Sequence, residues 1–98
     1  MDTKTAIERL RAMEPDLRAL GIQHLSLFGS RARNAANATS DFDLALEFGQ
    51  DRRLGGFAFA DLEHRLERVL ASKVDLVIEP ARKARLQREI ERDRKRVF

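Results

Sequence analysis

Hydrophobic and polar residues along this chain recur with two different periods. Ile22, His24, Ser26 and Phe28 interleave with Gln23, Leu25 and Leu27, the period of two that predicts a strand over 22–28. Asp41 to Phe48 repeats that alternation and predicts a second strand, with Phe42 and Leu44 facing away from Asp41 and Asp43. Val74 to Ile78 is a third, an apolar run holding Asp75 and closed by Pro80. Between the second and third strands, Phe59, Leu62, Leu66, Val69 and Leu70 recur at three- and four-residue steps and predict a helix over about 57–71. Residues 3–20 read as helical, with Ile7, Leu10, Leu17 and Leu20 inward, an interruption near Pro15 and a C-terminal cap at Gly21. Gly29 to about Arg33 predicts a short helix, 34–40 a polar loop, 49–56 a loop rich in charge and glycine. Residues 82–95 predict a last helix with a thin apolar stripe of Leu86 and Ile90. The order α-β-α-β-α-β-α is that of an α/β (α+β) domain, a small mixed sheet of about three strands covered by helices.

Composition changes this picture little. The 98 residues predict one domain, 1–98, with one modest core and no internal repeat, linker or low-complexity segment. There is no Cys, which excludes disulfides and thiolate metal sites. No apolar run approaches the roughly 20 residues that span a bilayer. Met1-Asp2-Thr3-Lys4 lacks the apolar core of a signal peptide, so a cytoplasmic location is expected. The net charge of +3 is unevenly placed: 82–98 carries eight Lys/Arg against Glu89, Glu91 and Asp93, leaving eleven basic and thirteen acidic residues elsewhere. This segment is read as a basic C-terminal helix with a solvated face. Docking to a partner is the second reading and nucleic acid a distant third, because no aromatic residue interleaves with the charges to stack on bases.

The chemistry concentrates in Leu27-Phe28-Gly29-Ser30-Arg31-Ala32-Arg33 and Ser40-Asp41-Phe42-Asp43-Leu44. Two carboxylates on one strand face repel each other unless a cation or base lies between them, and they suit a divalent cation that in turn holds phosphate oxygens. A serine at a helix start suits the phosphates themselves. If strands two and three are neighbours, Asp75 completes a triad with Asp41 and Asp43. Three carboxylates fit two Mg²⁺ ions about 3.5–4 Å apart, one escorting a triphosphate and one lowering the pKa of an acceptor hydroxyl. Asp75 would serve the second and could take the proton. Plainer readings stand beside these: a solubilising pair at Asp41 and Asp43, an ion pair at Asp75, an N-cap at Ser30, a solvated Arg31, and an Arg33 divided between phosphate and surface. Glu47 is read as peripheral, and His24 and His64 as surface or packed histidines.

Gly29-Ser30, Asp41-Phe42-Asp43 and Asp75 resemble the GS…DxD…D signature of the polymerase-beta-type nucleotidyltransferases. "LSLFGSRAR", "SDFDLALEF" and "KVDLV" are similar to their minimal nucleotidyltransferase branch, the antitoxin partner of HEPN-domain toxins. The resemblance implies the nucleotidyltransferase fold and Mg²⁺-dependent AMP transfer from ATP to a tyrosine of a cognate HEPN ribonuclease, neutralising it in a hetero-oligomer. Carried over by position, Gly29 and Ser30 would cradle the phosphates with Arg33 nearby, and the catalytic Asp41, Asp43 and Asp75 would hold metal. The chain departs from the family at Asn34, where glycine is usual; Asn tolerates left-handed backbone better than most residues. No Tyr occurs among the 98 residues, so a tyrosine acceptor must lie in trans, and the short length leaves a partner or second copy to complete the site. Two rival readings are a non-catalytic antitoxin that acts by binding and occlusion, and an RNA-binding module built on the basic segment, whose affinity would fall steeply with salt.

Overall fold

The computed structural model describes residues 1–33, 41–50 and 52–98. The polar loop expected at 34–40, with Asn34 and Ser40, lies outside the described residues, as does Asp51. The elements are α1 (Thr3–Ala12), α2 (Glu14–Ala19), β1 (Ile22–Phe28), α3 (Gly29–Ala32), β2 (Phe42–Phe48), α4 (Gly56–Leu70), β3 (Val74–Ile78), α5 (Ala84–Asp93) and β4 (Lys95–Arg96). Asp2 caps α1 by accepting from the Thr5 N–H at 2.8 Å. The expected break falls at Met13, with Pro15 in the first turn of α2, where its missing N–H costs nothing. Gly21 then turns the chain into β1 at a φ of +97°.

The strands form one mixed sheet in the order β3-β2-β1-β4. β1 runs antiparallel to β2 and β4, and β2 parallel to β3. One sheet face, with Leu25, Leu27, Phe42, Leu44 and Leu46, buries against Leu10, Leu17, Leu62, Leu66 and Leu70 of α1, α2 and α4. The opposite face buries Ser26, Phe28 and Ala45, with Ile90 of α5 packed over Phe28 and Ala45. Helices thus cover one face fully, and a single helix crosses the other.

Two expectations are corrected. The small mixed sheet is present with a fourth, two-residue strand beyond the about three expected, and the basic segment 82–98 is not one helix. The helix ends at Asp93 because Arg94 turns to extended geometry and sends its guanidinium inward, to Ser26 Oγ at 3.1 Å and to both carboxylate oxygens of Glu79. The next two residues pair with β1, Lys95 opposite Leu27 and Arg96 opposite Ser26, and Val97 enters the main core at 3% exposure. Arg31 is likewise not solvated. It is buried, donates to the Met1 carbonyl at 2.9 Å and stacks 4.2 Å over the Phe42 ring.

Candidate active site

The less covered face of the sheet gathers the carboxylates at one end. β2 places Asp43 on the face of Ala45, away from the Phe42–Leu44–Leu46 core. The parallel register sets Asp43 directly beside Asp75 on β3, and the antiparallel one sets it beside Phe28 on β1. Neighbouring strands lie about 4.8 Å apart, so Asp43 and Asp75 are adjacent on one face. Asp41, exposed just before β2, has the same parity as Asp43. Strands two and three are therefore neighbours, as a triad requires.

Gly29 closes the site from the side of β1. The chain leaves β1 through Phe28 in extended geometry and turns at Gly29, where φ is +75°. A β-carbon at Gly29 would stand 2.1 Å from Asp43 Oδ2 and 3.0 Å from its Cγ. Only glycine satisfies both the left-handed turn and this close approach. Ser30 follows, half-buried, in the first turn of α3. The cap position belongs to Phe28, without a side-chain cap bond, so the N-cap reading of Ser30 is set aside. Arg33, at the other end of α3, lies on the surface near the site and gives its Nη1 to Asp93 Oδ2 at 2.5 Å.

The electrostatics follow from this crowding. Burial raises the Asp43 pKa from 3.8 to about 6, aided by the charges of Asp75, Asp41 and Glu89 and opposed by Arg33. An anion site strained by its own charge is one that a cation relieves. The donors are hard carboxylate oxygens, which suit Mg²⁺. Among the described residues, no three Asp, Glu, His or Cys side chains are placed together to hold a metal ion. The adjacent carboxylates are the in-register pair Asp43 and Asp75.

The structure thus brings together Gly29, Asp43 and Asp75 by register and contact, with Asp41, Ser30 and Arg33 at the margins. Two acidic residues were missed, Glu89 and Asp93 of α5. Their signal was available: Glu89 and Asp93 stand four residues apart, one turn of a helix, with Ile90 between them. Glu47 belongs to the far end of the sheet, paired in register with His24, whose Nδ1 lies 3.2 Å from Arg96. His64 is exposed on α4. No described helix is long and apolar enough to cross a membrane.

Residues 17–98 match the family model described as polymerase beta, nucleotidyltransferase. The chain is 37% identical over 83 residues to a protein of Methanocaldococcus jannaschii provisionally named a protein adenylyltransferase, covering 81% of this chain and 87% of that one. It is 32% identical over 85 residues to the protein adenylyltransferase MntA of Thermococcus cleftensis, covering 86% and 84%. Among solved structures it is similar to a toxin–antitoxin crystal structure with AMP-PNP, at a TM-score of 0.74 and 25% identity, over 92% of this chain and 72% of that one.

Proposed function

This chain belongs to the polymerase beta nucleotidyltransferase family, and from that premise we propose that it transfers AMP from ATP to a tyrosine hydroxyl of a cognate HEPN ribonuclease toxin, acting as its antitoxin. The observation that carries this reading is the in-register pair Asp43–Asp75 with the Gly29 turn pressed onto Asp43. The similarity to protein adenylyltransferases supports the class of reaction, and the similarity to a toxin–antitoxin structure with AMP-PNP supports both nucleotide and partner.

In this reading the Gly29-Ser30 turn and Arg33 hold the β- and γ-phosphates, which leaves the α-phosphorus above the carboxylate edge. The tyrosine oxygen attacks it in line, the bond to the bridging oxygen of the β-phosphate breaks, and pyrophosphate leaves. Asp75, exposed beside Asp43, takes the hydroxyl proton. Mg²⁺ held by Asp41, Asp43 and Asp75 would neutralise phosphate charge and make the acceptor hydroxyl more acidic. No protein nucleophile is needed, so catalysis rests on positioning and electrostatics. None of these 98 residues is a Tyr, which supports an acceptor on the toxin chain. We place the reaction in the cytoplasm, where ATP and a ribonuclease toxin meet.

The test is intact mass spectrometry of this chain and its toxin after incubation with ATP and Mg²⁺. Mass added to the toxin in AMP-sized steps, and lost in an Asp41→Asn/Asp43→Asn variant, supports the reading. A stable complex with no added mass replaces it with neutralisation by occlusion.

A further inference from the structure

α5 crosses the same sheet face that carries Asp43 and Asp75, seated through Ile90 on Phe28 and Ala45. Glu89 and Asp93 lie one turn apart on this helix, where side chains are neighbours. Asp93 ends the helix, yet its carboxylate is only 3% exposed. Its Oδ2 accepts from Arg33 Nη1, and both oxygens accept from Arg92, at 2.9 Å from Nε and 3.2 Å from Nη2. Among the described residues Asp93 is the one hydrogen-bond partner of the Arg33 guanidinium, whose side chain stays 46% exposed. The Arg33 backbone is tied as well, its N–H donating to the Gly29 carbonyl at 3.2 Å. Arg33 is near enough to Asp43 to oppose the rise of its pKa.

We propose that Asp93 is a positioning residue for nucleotide binding, holding the Arg33 guanidinium at the rim of the carboxylate site so that its other N–H groups meet the triphosphate. A guanidinium carries five N–H donors in a rigid fork, and one bond to Asp93 leaves several for phosphate oxygens. A long side chain that swings freely must be ordered when nucleotide arrives; one already tethered loses less freedom on binding. Arg92 grips the same carboxylate, so the tether is itself fixed. A pair this exposed on the arginine side adds little to stability, which fits a role in placing charge better than one in holding the fold. The inference rests on the nucleotide reading of the site and adds to it a residue on α5 outside the glycine-serine turn and the three aspartates.

The test measures equilibrium binding of AMP-PNP with Mg²⁺, and KM for ATP against kcat, in the full chain and in Asp93→Asn, Asp93→Glu, Arg33→Ala and the double variant Asp93→Asn/Arg33→Ala. Asp93→Asn is expected to weaken AMP-PNP binding about tenfold and raise KM to match, with kcat within about twofold, as for a lost charge-assisted bond that orders a binding group. Asp93→Glu should recover most of the affinity. Arg33→Ala should lose at least as much as Asp93→Asn, and the double variant no more than Arg33→Ala, because one residue acts through the other. Asp93→Asn that lowers Tm but leaves nucleotide affinity intact overturns the proposal, as do losses that multiply in the double variant. Arg33→Ala, altered at an exposed side chain, keeps the question answerable if Asp93→Asn fails to fold. A parent chain that binds no AMP-PNP removes the nucleotide reading and this proposal with it, whereas tight parental binding with Asp93→Asn unaffected removes the proposal alone.

Discussion

Gly29 and Asp43 are so close that residue 29 has no room for a side chain: its β-carbon would lie 2.1 Å from the Asp43 carboxylate. The turn also needs a φ of +75°, which costs other residues roughly 1–2 kcal/mol. Gly29→Ala must therefore either swing the Asp43 carboxylate away from its place beside Asp75 or flatten the turn that carries Ser30. We expect AMP transfer to fall at least about a hundredfold, as when a positioned group is displaced by an ångström. Tm should fall by only a few degrees, since the core on the opposite face is untouched. Parallel thermal melts and transfer assays would separate the two effects.

The raised pKa of Asp43 ties stability to pH. With a value of 3.8 when unfolded and about 6 when folded, Asp43 holds its proton more tightly in the folded chain. Stability is then unaffected below about pH 4, falls as pH rises through about 6, and is lowest above it. Asp43→Asn removes the charge that cannot be accommodated. It should raise Tm at pH 8, leave it unchanged at pH 4, and abolish transfer at both. Millimolar Mg²⁺ should raise the Tm of the parent chain at pH 8 but not at pH 4, and Asp43→Asn should not respond. A melt series in pH and Mg²⁺ reads all of this.

A second ionic cluster fastens α5 to the sheet. Glu79, with a side chain only 7% exposed, accepts both Arg94 nitrogens, the Nη1 bond at 2.9 Å, and takes a further bond from Gln87 Nε2 at 3.0 Å. Burial alone would push its pKa up, but these bonds to Arg94 and Gln87 hold it below the ordinary value. A lowered carboxylate pKa stabilises the fold above the unfolded value and is lost as pH falls through the folded one. Arg94→Met strands that carboxylate and leaves the Ser26 hydroxyl without this donor. Urea denaturation at pH 7 should show a loss of about 3 kcal/mol, the cost of removing one member of a buried pair. The loss should shrink at pH 4, where Glu79 in the variant is protonated.

The parts of this molecule that were legible in the sequence are those fixed by near neighbours. β1 and β3 fall at 22–28 and 74–78 as the alternation and the apolar run predicted, and the parity of Asp41 and Asp43 follows from the strand itself. Other features depend on residues far along the chain. Arg31 and Arg33 are near-equivalent in "SRAR", yet two residues of helix turn them about 200° apart. One lands over Phe42 and the other beside Asp93. Arg94 looks like one more charge in a basic tail until Ser26 and Glu79 meet it from 68 and 15 residues away. β4 has only two residues, both charged, and no local pattern marks such a strand.

That last strand yields the sharpest contrast between a helical and an extended tail. Val97 donates its N–H to the Leu25 carbonyl at 2.8 Å, Leu25 donates to the Phe98 carbonyl at 3.2 Å, and Arg11 Nε donates to the Val97 carbonyl at 2.9 Å. The Val97 side chain is in the main core, whereas Lys95 and Arg96 are exposed on either side of the edge pairing. Val97→Ala should cost about 2 kcal/mol through lost burial and the cavity left behind. Lys95→Ala should stay within about 0.5 kcal/mol, as exposed substitutions do. The Val97 and Leu25 amides should also exchange slowly, with protection that Val97→Ala lowers for both together. A helix running through to the end would instead tie the Val97 amide to Asp93, and Val97→Ala would leave exchange at Leu25 unchanged. Hydrogen exchange resolved at these two amides therefore decides whether the chain closes on its own sheet.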